Sequence, residues 1–396
     1  ATQIGSLSKT QLASLTQASL AGLTATQVQT MSTTQIQSFS AAALHSFDAA
    51  QAGALQATQI ASLTNTQIAG LDATDMGELS ATQVSALTGT QVAALTDTAA
   101  SALDADQMAA LNATQVKAFT ATQISAFSAT DIAELSVAQI AQLQTTQIQA
   151  LKDTNITELN ETQIAAFTAT QMKSLSATNL AALADSQIAA LTAGQIGALS
   201  TQQVNGLTAT NIAALTETQA AAFTTTQISG LSSAAAHAFA ATQIAAMSNT
   251  QVRAFSATQL SALDATDMAE FSETQVGAFL TTQVASLSWT NLAALTDTQI
   301  ATFSASQVQA ISTTGISHLT ETQVSALTTT QIAAMSTAQV KALSNTNLSA
   351  LDATQVAALT NTQVSALTTA QLNSLNAGDV AEFSSGQIAA LNATQV

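Results

Sequence analysis

Cysteine is absent from the 396-residue chain, which removes disulfides, thiol catalysis and cysteine-based metal sites. Charge is scarce as well: 7% of residues are charged, against roughly a quarter in an ordinary globular domain. Six Lys or Arg face 23 Asp or Glu, leaving a net charge of −17. Nucleic acid is thereby excluded as a partner, because phosphate binding needs cationic side chains to displace counterions. An anionic membrane surface is excluded for the same reason. Ser, Thr or Gln interrupts every apolar stretch, so no run of ~18 apolar residues exists and no membrane insertion is expected. Aromatics make up only 3%, yet apolar residues reach 47%, which rules out the apolar-poor, charge-rich class of disordered chains.

What the chain does contain is a repeat of eight. From Leu7 to Leu391, every eighth residue is Leu, Phe, Met or Ile, without insertion or deletion, and all 12 Phe of the chain fall in this column. Three residues before each lies a second apolar site, such as Ile60, Ile68 and Val84, weakened only at Ala52, Ala100, Ala220 and Ala236. The unit reads T-A-T-Q-I-A-A-L. No composition shift marks a boundary, so 1–396 reads as one uninterrupted array. It opens and closes inside a repeat, and the expectation is a segment of a longer chain.

After each Leu comes Ser, Thr, Asp or Asn, broken only at Gln56, Gln144, Lys152, Ala184, Ala240 and Leu280. Three residues later comes Gln, as in Thr64 to Gln67. This is a capping box: the hydroxyl accepts the backbone N–H of the third helical residue, whose side chain returns to the N–H of the cap. Each octad thus carries one helix start. The expected fold is an all-α solenoid of short capped helices, one per octad, each of about seven residues followed by one extended residue. Such helices are too short to stand alone and need neighbours to bury the two apolar columns. A single long helix would wind its apolar face around the rod. A β-solenoid is the alternative, although Ile and Leu three apart point to opposite faces of a strand and alanine favours helix.

A second period lies in the departures from Gln. Fourteen octads lack it: Ser19, Ala43, Asp75, Ala99, Asp131, Asn155, Asn179, Asn211, Ala235, Asp267, Asn291, Gly315, Asn347 and Asp379. Every gap is three or four octads, with a mean of about 28 residues. As on a helical wheel, that spacing marks one side of an object with about 3.5 units per turn, so a superhelix of ~28 residues per turn is expected. The same octads hold the three histidines, His45, His237 and His318, and five Glu placed directly before the Leu/Phe column: Glu78, Glu134, Glu158, Glu270 and Glu382.

Two readings of these positions are open. In one, they mark places where turns or neighbouring solenoids approach closely and a shorter side chain is needed. In the other, they form a self-association face, comprising Ala43, His45, Asp75, Ala99, Asp131, Asn155, Asn179, Asn211, Ala235, His237, Asp267, Asn291, Gly315, His318, Asn347 and Asp379. Restoring Gln at Asn179, Asn211 and Asn291 is then expected to leave the fold intact and to weaken lateral assembly.

Three histidines more than 80 residues apart set no triad or zinc site by spacing, and no catalytic residue is expected. The pairs Asp75/Glu78, Asp131/Glu134, Asp267/Glu270 and Asp379/Glu382 each share a helix face. The chemistry they would suit is a divalent cation such as calcium bridging chains; no other cofactor is implied. The Thr-x-Thr pairs, such as Thr88/Thr90, raise ice binding, although the first Thr of each is committed to capping.

The gapless octad T-x-T-Q-[IV]-x-A-[LF] resembles the long octapeptide arrays of very large secreted or surface proteins of bacteria, often labelled adhesin-like or haem-utilisation-like. The resemblance implies a location outside the cell. No haem-ligand pattern is present, so that label is not carried over. The expected function is a structural element forming or spacing an extracellular filament, sheath or surface layer, with further copies of itself as partner. An adhesin stalk or a ligand-binding or ice-binding module is the alternative, and an enzyme is not expected.

Overall fold

A computed structural model describes residue 4 and residues 6–395. Among the described residues there is no strand; 48 helices of four to six residues follow one another from Lys9–Ala13 to Ser385–Ala389, one per octad. The β-solenoid alternative is therefore overturned. The two apolar sites of an octad lie three apart, which puts them on one side of a helical turn, and the capping geometry starts a helix in every repeat.

The helices are shorter than the sequence suggests, because two residues between them are extended and not one. In the helix Ala105–Ala110, for instance, Leu111 follows at φ −70° and ψ 131°, and Asn112 then takes φ −82° and ψ 170° as the next cap. The Leu/Phe column thus sits in the link between helices.

Thr120 illustrates the start of a helix. Its hydroxyl accepts the Gln123 N–H at 3.2 Å, and Gln123 Oε1 accepts the Thr120 N–H at 2.8 Å. At the six positions that break the cap rule only the returning half survives, as where Ala184 N–H donates to Gln187 Oε1 at 2.8 Å.

The chain divides into two units between Leu199 and Ser200. In the first, the helix Ala81–Ser85 packs on Ala105–Ala110 and Gly89–Ala94 packs on Ala113–Ala118, in each case three octads along the chain. The Ile/Val and Leu/Phe columns line its core, with Ile124 and Phe127 fully enclosed. Phe119 and Phe127, from successive octads, meet edge to face at 5.2 Å, the arrangement their ring quadrupoles favour.

The second unit repeats the scheme. Glu217–Ala220 packs on Ala241–Ala246 and Thr281–Ser286 on Ala305–Ala310, and Phe271 meets Phe279 edge to face at 5.4 Å. Toward residue 395 no described octad lies over the last turn, so Val380 and Ile388, members of a column buried elsewhere, are exposed.

Candidate functional site

The recurrent glutamine of the repeat is among its most buried polar side chains. Gln123 is 1% exposed. Its oxygen serves its own helix cap, and its amide donates to Val92 O at 3.0 Å and Leu95 O at 2.7 Å, 31 and 28 residues upstream. In the second unit Gln283 does the same to Val252 O at 3.1 Å and Phe255 O at 2.7 Å. The last carbonyls of a helix have no partner within it. One glutamine therefore closes the start of its own helix and the end of a helix four octads earlier, forming a ladder between turns. Sequence reasoning found the first role and missed the second.

The positions without Gln depart from this ladder in three ways. Asn has the shorter reach: Asn291 Nδ2 donates to Leu263 O and Asn347 Nδ2 to Leu319 O, both at 2.7 Å, and Asn291, unlike Asn347, also returns to the N–H of its cap. Ala and Gly give up the ladder where the interior is tight. A Cβ at Gly315 would lie 2.6 Å from Leu292 Cδ1 and 2.9 Å from Ile311 Cγ2. Asp reverses the polarity, since a carboxylate can only accept. Asp75 Oδ2 lies 2.8 Å from His45 Nδ1, Asp267 Oδ2 lies 2.5 Å from His237 Nδ1, and Asp379 Oδ2 accepts Ser349 Oγ–H at 2.6 Å. In all three the donor stands 30 residues upstream.

This placement corrects the reading of these positions as an outward face. Asp75, Ala99, Asn155, Asn179, Asn211, Ala235, Asp267, Asn291, Gly315 and Asn347 are enclosed by their own chain. They cannot touch a second molecule without opening the fold, and a longer side chain at Asn179, Asn211 or Asn291 must enter a filled interior. Ala43, Asp131 and Asp379 are half-buried, while His45, His237 and His318 are exposed. His318 stands apart from the other two: it stacks on the half-exposed Trp289 with ring centroids 4.7 Å apart.

The carboxylate pairs are also not jointly outward. Glu78, Glu134, Glu270 and Glu382 are half-buried. Burial, followed by the nearby Asp charges, pushes the first three above the usual glutamate range. Glu78 and Asp75 line a cavity of about 20 Å³ with Leu44, Phe47 and Leu55, room for about one water. Glu270 Oε2 is buried without a hydrogen-bond partner.

Two clusters bring histidine and carboxylates together. In the first, His45 Nδ1 lies 2.8 Å from Asp75 Oδ2 and 3.7 Å from Asp72 Oδ2. In the second, His237 faces Asp267 and Asp264. In each set the donor atoms all lie within 4.8 Å of one another. The hydrogen bond to Asp75, then the charges of Asp75 and Asp72, raise the His45 pKa; Asp267 does the same for His237. Asp72 and Asp264 are helix caps whose pKa values are lowered, first by the N–H of Asp75 and of Asp267. Sequence reasoning passed over both as ordinary caps. The signal that finds the clusters is the 30-residue offset from His to Asp, which occurs at both.

The Thr-x-Thr hydroxyls are engaged with each other and with the caps. Thr88 and Thr90 lie 3.0 Å apart, and Thr88 Oγ1 accepts the Gln91 N–H.

Residues 188–225 and 332–369 match the family model of the ALTTAQ repeat, in agreement with an octapeptide array. No curated protein matches the chain.

Proposed function

We propose that the chain is a structural spacer in an extracellular filament, sheath or surface layer, wound within each unit as a superhelix of about 3.5 octads per turn. The observation that carries this reading is the buried glutamine ladder. The same two-ended hydrogen-bond unit recurs along each unit, so tension is shared over many equivalent contacts between turns. Packing onto the helix three octads along, together with hydrogen bonds to the helix four octads back, favours a turn between three and four octads. Stability in such an array is close to a sum of unit and neighbour terms, which suits a part whose length varies by adding repeats. The sequence resemblance supports the location outside the cell. Self-association belongs to the proposal as well, and falls to outward residues because ten positions of the non-Gln octads are enclosed.

Immunogold electron microscopy of intact producing cells tests this reading. Labelled surface assemblies are expected; label confined to the cell interior would refute it.

A further inference from the structure

We propose that the His45–Asp72–Asp75 and His237–Asp264–Asp267 clusters each bind one divalent transition-metal ion of the zinc class, so that the chain carries one such site in each unit. The proposal stands apart from the spacer reading.

The donor set comes first. One imidazole nitrogen and two carboxylates lie within 4.8 Å of one another, a mixed set that suits zinc, nickel or copper better than calcium, which takes six to eight oxygens. Three protein donors leave the remaining positions to water.

The carboxylates are held in place before any ion arrives. Asp72 Oδ1 takes the N–H groups of Thr74 and Asp75 at 2.8 and 3.1 Å, leaving Oδ2 toward His45. Asp75 Oδ2 takes the Asp72 N–H at 2.8 Å. Asp264 and Asp267 repeat these bonds. Hydrogen bonds of this kind orient ligands and keep them charged. On binding, Nδ1 and Oδ2 draw apart around the ion, the proton they share is released to water, and the imidazole keeps its remaining proton on Nε2.

Two further observations point to a ligand and not to folding alone. Four octads carry Asp at the ladder position. Where the residue 30 upstream is Ser, at Asp131 and Asp379, the cap is Ser128 or Asn376; where it is His, the cap is a second Asp, Asp72 or Asp264. Helix capping does not need that extra charge, since Ser and Asn cap as well, and it adds repulsion that a cation relieves. Both clusters lie in the same run, LDATDM, at 71–76 and 263–268.

Isothermal titration of the metal-free chain with Zn²⁺ is expected to show two sites, with calcium failing to compete. His45→Gln and His237→Gln should each remove one site. Glutamine keeps a donor opposite the aspartate, so circular dichroism should stay helical, and His318→Gln should leave both sites. Absence of saturable zinc uptake, or full uptake in the His45→Gln/His237→Gln variant, overturns the proposal. In the unaltered chain, Zn²⁺ should protect His45 and His237 from diethyl pyrocarbonate and leave His318 reactive. Equal modification of all three with and without zinc overturns it independently of any variant.

Discussion

Replacing Gln123 with alanine tests the ladder directly. The side chain is 1% exposed, accepts the Thr120 N–H at 2.8 Å and donates to Val92 O and Leu95 O at 3.0 and 2.7 Å. Val92 O keeps a second partner in Leu95 N–H. The change therefore strands the Thr120 N–H and the Leu95 carbonyl, at about 1–2 kcal/mol each for buried unmade hydrogen bonds. The vacated space adds about 1 kcal/mol, for a total of about 3–5 kcal/mol. In a repeat array this loss stays local, because each repeat answers only to its neighbours. Peptide-level hydrogen exchange is thus a better assay than a melting temperature. At 1.36 kcal/mol per decade, exchange should accelerate by about 100-fold or more. The acceleration should appear in two separated stretches, around 92–95 and around 120–124. The exposed Thr122→Ala serves as control, with an effect within about 0.5 kcal/mol. An increase under about 5-fold, or one confined to the helix containing residue 123, would mean that the glutamine only caps its own helix.

Asn291→Gln adds a methylene to a side chain 1% exposed and should cost about 1–3 kcal/mol by overpacking; unchanged exchange around 263 and 288–295 would contradict the tight interior. Gly230→Ala drives a Cβ into Thr201 Cγ2 and should lower the denaturant midpoint, whereas Gly53→Ala meets nothing within 4 Å and should raise stability by up to about 1 kcal/mol from helix propensity. Equal effects of the two glycine changes would discredit the packing described here. His45 and His237 have raised pKa values, so their contribution is complete below the ordinary histidine value of 6.5 and is lost as pH rises through the folded values. Glu78, Glu134 and Glu270, raised above 4.5 by burial, act in the same direction, while the lowered Asp72 and Asp264 oppose them only as pH falls past 3.8. Residues 41–79 and 233–271 should then be better protected at about pH 5.5 than at about pH 8, after correction for intrinsic exchange; the reverse order would refute the assignment.

The helices were legible because their signals are local: a cap, a returning side chain three residues on, and two apolar sites within one turn. The spacing of about 28 residues between the octads that lack Gln is carried by the residues themselves and so was open to reading. The ladder itself was not. A capping box already accounts for Gln123, and the groups its amide seeks are backbone carbonyls 28 and 31 residues away, which carry no residue identity. The burial of the non-Gln positions was left open, between close approach of turns and a self-association face, for a related reason. Asn155 looks like a surface residue in the sequence, yet it is 0% exposed, because capping and a bond between turns satisfy it inside. The metal clusters were hidden because Asp72 and Asp264 occupy positions where any cap would do.

Every ladder bond described within a unit points the same way along the chain: the glutamine amide reaches back to carbonyls that precede it. The array can therefore fold in the order in which it is made. At a synthesis rate of about 5–20 residues per second, the 28 residues separating a glutamine from its nearer acceptor emerge in about one to six seconds, while a helical turn forms in about a microsecond or less. The ladder glutamine of each new octad meets a finished template; only donors outside the ladder, such as Gln37 toward Ser62 and Ser349 toward Asp379, wait for sequence still to come. A chain of this design can lengthen at its growing end without a nucleus that must wait for the whole.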